Sequence, residues 1–415
     1  MLNVKCFSMI KYLKNANIDN KSVLLRVDVN EPIADCKVSD DFRIQQIIPT
    51  IQHLINHGCK VIIAAHLGRP DGKFDKALSM QPVAERIADL LGRKFIETEI
   101  QLPDYPVGHL IFMTGNIQDA QTRQKIRDIP AKEVVFLENL RFYKGELDNS
   151  DFFGQQLSEL ADVYINDAFS VCHHPAASIV AVAKRMEHYG GFILEREVKA
   201  LGIILDKPKS PFVLMMGGMK ITEKEQTLAF LGKSADDILL AGGLANLLLL
   251  SQGMSVGKTP VQEEGLPVAK ELYRNYKDKI KLPKDLVVAN ASMEPTSIRV
   301  SEITDVRADE IIYDIGPKSI LEYAGIIKQA KTLVWNGPLG KFEVKPFATS
   351  TLALARVIGG VATGQCYAAV GGGETVDAIR QAGQGDYIDH LSTGGGAMLE
   401  FLAGKTLPGI AALES

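Results

Sequence analysis

Short apolar runs recur along the chain, separated by stretches in which apolar residues fall three and four positions apart. Residues 22–29 (SVLLRVDV), 61–65, 134–137 and 163–165 are β-rich and mostly apolar, as expected of strands covered on both faces. Between them, residues 41–58 carry Ile44, Ile47, Ile48, Ile51, Leu54 and Ile55 on one stripe and end at Gly58, which predicts a helix. Residues 82–91, ended by Gly92, and 151–160 predict two more. Residues 191–206 place Leu194, Val198, Leu201 and Leu205 at helical spacing and close this first series.

A second series follows. Strands are predicted at 211–216, 237–241, 286–289, 311–315 and 332–335, and an apolar run at 366–370 closes the second sheet. Alternation of strand and helix predicts an α/β protein with parallel sheets carrying helices on both faces. The boundary between the two series falls near residue 200, and a linking helix there suits two lobes that hinge.

Composition narrows the setting. With 415 residues the chain is long enough for two or three domains, and 46% hydrophobic with 23% charged residues describes a globular protein. A formal net charge of −4 leaves no global basic field for nucleic acid or an anionic membrane. Five cysteines lie far apart without a CxxC pair, which predicts reduced thiols and argues against a zinc module. Lysines interrupt the first residues, so no signal peptide is expected, and residues 247–250 are too short an oily patch to span a bilayer. A cytoplasmic protein is the expectation.

In parallel α/β sheets ligands sit beyond the carboxyl ends of the strands. There the first half places Arg26, Asp28, Asn30, His66, Arg69, Arg141 and His173, with Arg43 near the start of the first helix. Four arginines at equivalent positions describe a basic pocket for an acidic small molecule. In the second half the strand at 211–216 runs into GGMK (217–220), with Lys224 one helical turn on, and the strand at 237–241 meets Gly242 and Gly243. Residues 366–400 perform strand, glycine-rich turn and helix twice: GGGET (371–375) and STGGG (392–396) each precede a helical pattern. A helix start offers bare N–H groups and a positive dipole end to an anion. One such turn is equally an ordinary strand-to-helix connection; two within thirty residues point to phosphate handling. GMSVGKT (253–259) resembles a Walker A loop, but it has three residues between its glycines instead of four and follows a helix. No GxGxxG fingerprint is present.

The chain resembles the phosphoglycerate kinase family over nearly its whole length. The resemblance rests on VLLRVDVN (23–30), AHLGRP (65–70), ENLRF (138–142), ADVYINDAF (161–169), GGMK (217–220), WNGPLGKFE (335–343), GGGET (371–375) and STGGGAMLE (392–400). It implies two Rossmann-like lobes joined by a hinge helix. Residues 1–195 would bind phosphoglycerate, 196–395 would bind nucleotide, and 396–415 would form a tail packed back on the first lobe. It also implies a monomer in glycolysis, exchanging a phosphoryl group between 1,3-bisphosphoglycerate with ADP and 3-phosphoglycerate with ATP, in the presence of Mg²⁺. By that resemblance Asp28, Asn30, Arg43, His66, Arg69, Arg141 and His174 hold the phosphoglycerate. Arg43, Lys220 and Lys224 act on the transferring group. Lys224, Gly242, Gly243, Asn336, Pro338, Glu343, Gly372, Gly373, Glu374 and Thr375 take the nucleotide, Gly394, Gly395 and Gly396 form the second phosphate-binding helix start, and Glu374 meets the metal.

Three residues depart from the family pattern. His174 stands where an arginine grips substrate; imidazole titrates near pH ~6.5 and cannot fork onto an anion, so a retuned acyl-phosphate substrate or weakened catalysis is the alternative expectation. Glu374 replaces an aspartate, adding a methylene that the octahedral geometry of Mg²⁺ must absorb. Lys341 replaces a small apolar residue near the adenine, either tuning nucleotide choice or lying solvated on the surface.

Overall fold

The computed structural model describes residues 10–99, 108–219 and 224–414. Lys220, expected to act on the transferring phosphate, lies outside them. The chain forms two compact units, one of residues 3–199 with 406–415 and one of residues 200–405.

The first unit is built on a seven-stranded sheet in the order Lys94–Thr98, His109–Met113, Val134–Leu137, Lys60–Ala64, Ser22–Val27, Val163–Asp167, Glu187–Gly190. Every neighbouring pair is parallel. Its central strands are apolar because helices cover both faces: Val23, Leu24, Leu25 and Val27 are all buried. The helix Phe42–Asn56 buries Ile44, Ile47, Ile51 and Leu54 against that sheet, while Ile48 and Ile55 sit at the edge of the stripe. Full burial of four such side chains contributes on the order of 6–12 kcal/mol before entropy is subtracted. The helix Gln81–Leu91 stops at Gly92, whose φ of 63° lets the chain turn left-handed where a β-carbon would strain it.

The tail joins this unit through Gly409, whose N–H donates to the Cys172 carbonyl at 2.9 Å. A β-carbon on Gly409 would stand 2.7 Å from Ile179 and 2.8 Å from Cys172 Sγ, so only glycine fits.

The second unit carries a six-stranded parallel sheet in the order Ile280–Lys281, Asp237–Leu240, Phe212–Met216, Thr332–Asn336, Tyr367–Gly371, His390–Ser392. One expectation needs correction here. The apolar runs at 286–289 and 311–315 do not extend that sheet. They form Asp285–Ala289 and Ile311–Ile315 of a separate antiparallel sheet with Arg299–Glu302, interrupted by an irregularity between Val287 and Val288. An apolar run specifies burial but not a partner, and the third strand (RVSE) is too polar to advertise itself. Strands such as Lys94–Thr98 and Glu187–Gly190 went unpredicted for the same reason. Among the described residues no helix is long and apolar enough to cross a membrane, and Cys36, Cys59, Cys172 and Cys366 are free thiols.

Candidate active site

In the first unit the loops after three neighbouring parallel strands are fastened to one another. Asn139, wholly buried, uses both ends of its amide. Its Oδ1 accepts from Leu67 N at 3.3 Å and Arg141 N at 3.1 Å, and its Nδ2 donates to the carbonyls of Leu67 at 2.7 Å and Leu78 at 2.9 Å. Asn30 Oδ1 accepts from Gly68 N at 2.9 Å, and Arg141 donates to the Gly68 carbonyl at 2.7 Å. Asp28, Asn30, His66 and Arg141 thereby share one surface, with Arg69 exposed beside Arg141.

Arg43 enters from the first turn of the helix Phe42–Asn56 and pairs with Asp28 at 2.7 Å. Asp28 also accepts from the Ser170 hydroxyl and, at 3.2 Å, from Asn30 N. Burial alone would raise this carboxyl, but the Arg43 charge and those donors outweigh it and hold Asp28 below the usual carboxylate range. Arg43 is thus kept at the site by a paired anion while its guanidinium remains partly open.

Arg26, expected in the ligand pocket, lies behind it instead. It is 2% exposed, donates through Nε to Ser178 Oγ at 2.8 Å and to the Val27 carbonyl, and places Nη2 3.2 Å from His66 Nδ1. Arginine only donates, so His66 Nδ1 accepts and the proton of the neutral ring sits on Nε2. Burial and the Arg26 charge push His66 far below its ordinary value, fixing it as a neutral donor. Beneath Arg26, Glu146 accepts from Ser178 N at 2.8 Å and Ser178 Oγ at 2.6 Å, with its carboxyl raised by burial against the pull of Arg26. Burial and the neighbouring Arg26 likewise lower Arg141, which remains a cation.

His174 is exposed, its ring 3.8 Å from that of half-buried His173. Glu31 was not singled out in the sequence, yet it is 8% exposed and its Oε1 accepts from Arg43 N at 2.6 Å. A carboxylate directly after Asn30 is the one signal that pointed to it.

In the second unit the strand ends approach so closely that side chains are excluded. A β-carbon on Gly217 would lie 2.1 Å from the Pro338 carbonyl, and one on Gly337, at φ 90°, 2.5 Å from the Gly217 carbonyl. Gly218 N donates to that Pro338 carbonyl at 2.8 Å. Lys224 is 6% exposed, and its ammonium reaches to 2.9 Å from where a Gly218 β-carbon would stand. Gly242 and Gly243 begin the helix Gly242–Ser251, packed on the backbone of Gly218 and Met219.

Asn336 Nδ2 donates to the Gly371 carbonyl at 2.9 Å and Thr375 Oγ1 accepts from Gly337 N at 2.8 Å, tying the WNGPLG and GGGET turns together. Gly372, at φ 93°, starts the helix Gly373–Gln381, with Glu374 exposed in its first turn. Gly394 and Gly395 precede, and Gly396 begins, a helix of only 7 residues, Gly396–Leu402. Glu343 is exposed, and the Lys341 ammonium lies 5.8 Å over the Tyr313 ring.

Among the described residues no group of three or more His, Cys, Asp or Glu side chains could hold a metal ion. A single exposed carboxylate in a helix's first turn does not cage a cation. It fits a Mg²⁺ that arrives on a nucleotide and keeps most of its own water and phosphate ligands.

The sequence profile of the family described as phosphoglycerate kinase matches residues 13–405. The phosphoglycerate kinase of Moorella thermoacetica is 39% identical over 404 residues, covering 97% of this chain and 98% of that protein. That of Desulfosudis oleivorans is 40% identical over 411 residues, covering 98% and 99%. Among solved structures, phosphoglycerate kinase from Coxiella burnetii superposes with a TM-score of 0.80 at 35% identity, covering 97% of this chain and 98% of that one. The enzyme from Pyrococcus horikoshii gives 0.83 at 30% identity, covering 97% and 98%. With its parallel-sheet units, its arginine-lined strand ends and its glycine-only turns, the chain belongs to the phosphoglycerate kinase family.

Proposed function

We propose that the chain transfers a phosphoryl group reversibly between 1,3-bisphosphoglycerate and ADP, giving 3-phosphoglycerate and ATP, as a cytoplasmic monomer in glycolysis. The observation that carries this reading is the cluster of Arg43, Arg69, Arg141 and neutral His66 at the carboxyl ends of one parallel sheet, in a chain whose family match spans residues 13–405.

On this reading the first unit takes the phosphoglycerate. Arg43, Arg69 and Arg141 neutralise its phosphate and carboxylate, with His174 at the rim. His66 donates from Nε2 to a substrate oxygen, and Asp28 and Asn30 orient Arg43 and the loop at Gly68. The second unit takes the nucleotide on Gly242, Gly243, Asn336, Pro338 and Glu343, with its phosphates at the helix start of Gly372, Gly373, Glu374 and Thr375. Gly394, Gly395 and Gly396 supply further backbone donors. Glu374 is the side chain that would meet a Mg²⁺ bound with the nucleotide, and such an ion would spread the charge of the phosphates.

A terminal ADP oxygen attacks the acyl phosphorus, the bond from phosphorus to the carboxyl oxygen breaks, and the carboxylate leaves. Both groups are already ionised at neutral pH, so no general base is required. The reaction needs positioning and fixed positive charge for phosphate oxygens more than covalent help, and on this reading Arg43 supplies that charge in the first unit and Lys220 and Lys224 in the second. Nothing in the family match or the named relatives favours a retuned substrate.

The test is a coupled assay with 3-phosphoglycerate and MgATP, for wild type and Lys224→Met. Turnover by wild type and a loss of at least about 100-fold in kcat for the variant is the expected result. A folded wild type that binds nucleotide but gives no 1,3-bisphosphoglycerate would overturn the reading.

A further inference from the structure

We propose that Glu31 is a positioning residue for Arg43: it accepts the backbone N–H in the first turn of the helix from which Arg43 projects, and its negative charge, when present, weakens binding of the anionic substrate. The inference deepens the reading above and rests on it.

The geometry comes first. Asp41, the residue before the helix Phe42–Asn56, makes no side-chain cap bond of its own. The first orphan N–H groups are instead satisfied from elsewhere: Phe42 N by Asp40 Oδ1 at 3.0 Å, and Arg43 N by Glu31 Oε1 at 2.6 Å. Glu31 thus reaches from the loop after the central strand to the backbone of the residue whose guanidinium pairs with Asp28. It fixes where that guanidinium starts from without touching the ligand surface.

The electrostatics follow from the same placement. Around Glu31 the charged groups are Arg43, whose amide it accepts and whose side-chain charge acts on it through space, Asp40 from the loop preceding the helix, and Asp28 from the strand end. Burial raises the Glu31 carboxyl, and Asp40 and Asp28 add to that, while Arg43 opposes it; the balance stands at about 7. Below that pH Glu31 accepts the Arg43 amide as a neutral acid. Above it, a second negative charge, on Glu31, stands beside the Arg43–Asp28 pair. Arg43 then presents less net positive charge to an incoming phosphate or carboxylate. Asp28, held ionised well below neutrality, contributes no titration in this range.

Glu31→Gln separates the two roles, because the amide oxygen accepts the same N–H but carries no charge at any pH. The experiment measures KM for 3-phosphoglycerate with MgATP between pH 6 and 8 for wild type, Glu31→Gln and Glu31→Ala. Titration of the substrate's own phosphate is common to all three and cancels in the ratios.

The KM of wild type over that of Glu31→Gln is expected to rise from about 1 at pH 6 to about 2–5 at pH 8, with the effect in KM rather than kcat. Glu31→Ala, which leaves the Arg43 amide without its acceptor, raises KM above that of Glu31→Gln at both ends of the range. A wild-type to Gln ratio constant across the range would overturn the proposal, as would an alanine variant matching glutamine at every pH. A wild type that neither turns over nor binds 3-phosphoglycerate would instead remove the reading of the reaction, and this inference with it.

Discussion

Replacing Arg26 by methionine tests the account of how His66 is held. The substitution keeps most of the buried volume and removes three donors: those to Ser178 Oγ, to the Val27 carbonyl and to His66 Nδ1. Glu146, 2% exposed and held through Ser178, loses the cation that offsets its burial. Leaving the Val27 carbonyl, His66 Nδ1 and the Ser178–Glu146 pair without their donor costs about 1–3 kcal/mol for each unsatisfied buried group, so about 3–5 kcal/mol in all is expected. At about 2–4 °C per kcal/mol for a unit of some 200 residues, the expected fall in Tm is roughly 10 °C.

The pH dependence of that deficit follows from two groups. Glu146, already raised in the folded state, rises further without Arg26; an acid raised by folding contributes stability at low pH that is lost as pH rises through its folded value. His66 is lowered in wild type, so wild type loses stability as pH falls below the ordinary histidine value, and the variant recovers part of that loss. Both effects make the deficit of Arg26→Met smaller at pH 5.5 than at pH 8. The assays are guanidinium denaturation at the two pH values and an NMR titration of the His66 ring. In wild type that ring should not titrate above pH ~5; in the variant it should move toward pH ~6.5. A deficit below about 1 kcal/mol at pH 8, or an unshifted His66, would refute the argument.

Two further outcomes are expected in the second unit. Gly337→Ala puts a methyl 2.5 Å from the Gly217 carbonyl at φ 90°. It should cost about 2–4 kcal/mol and weaken ADP binding more than 3-phosphoglycerate binding, as thermal denaturation and calorimetric titration would check. Asp314 is buried, accepts from Ile315 N at 2.9 Å and from Ser350 N at 3.1 Å, and burial raises it to about 6. Its contribution to stability is therefore complete below the unfolded value near 4 and falls by about 3 kcal/mol as pH rises through 6. Asp314→Asn should remove that slope, read as a pH-dependent difference in denaturation midpoint from wild type.

Much of the architecture was legible without coordinates. Strands covered on both faces must be apolar along their length, so residues 22–29, 61–65 and 211–216 announced themselves. The stripe from Ile44 to Leu54 announced its helix because 3.6-residue periodicity has a single cause in a globular chain. Strands with polar composition stayed silent, and the two apolar runs of the antiparallel sheet were assigned to the wrong neighbour, because hydrophobicity reports burial and not partners. Arg26 and Arg43 illustrate the same limit at the site. Both are arginines near the start of one unit, yet one points inward onto Ser178 and the other outward from a helix turn.

The amino-acid sequence by itself determined which residue types stand at the carboxyl ends of the parallel strands and where glycine-rich turns lead into helices. Those follow from local chain geometry: a strand ends, the chain turns, and a helix begins. Tertiary structure alone decided that Arg26 locks the His66 proton on Nε2, that Asn139 fastens two loops, and that Glu31 stands against the Arg43 amide. These are contacts between segments distant in sequence. Their electrostatic consequences depend on burial and on charges within a few ångströms, which no local pattern encodes.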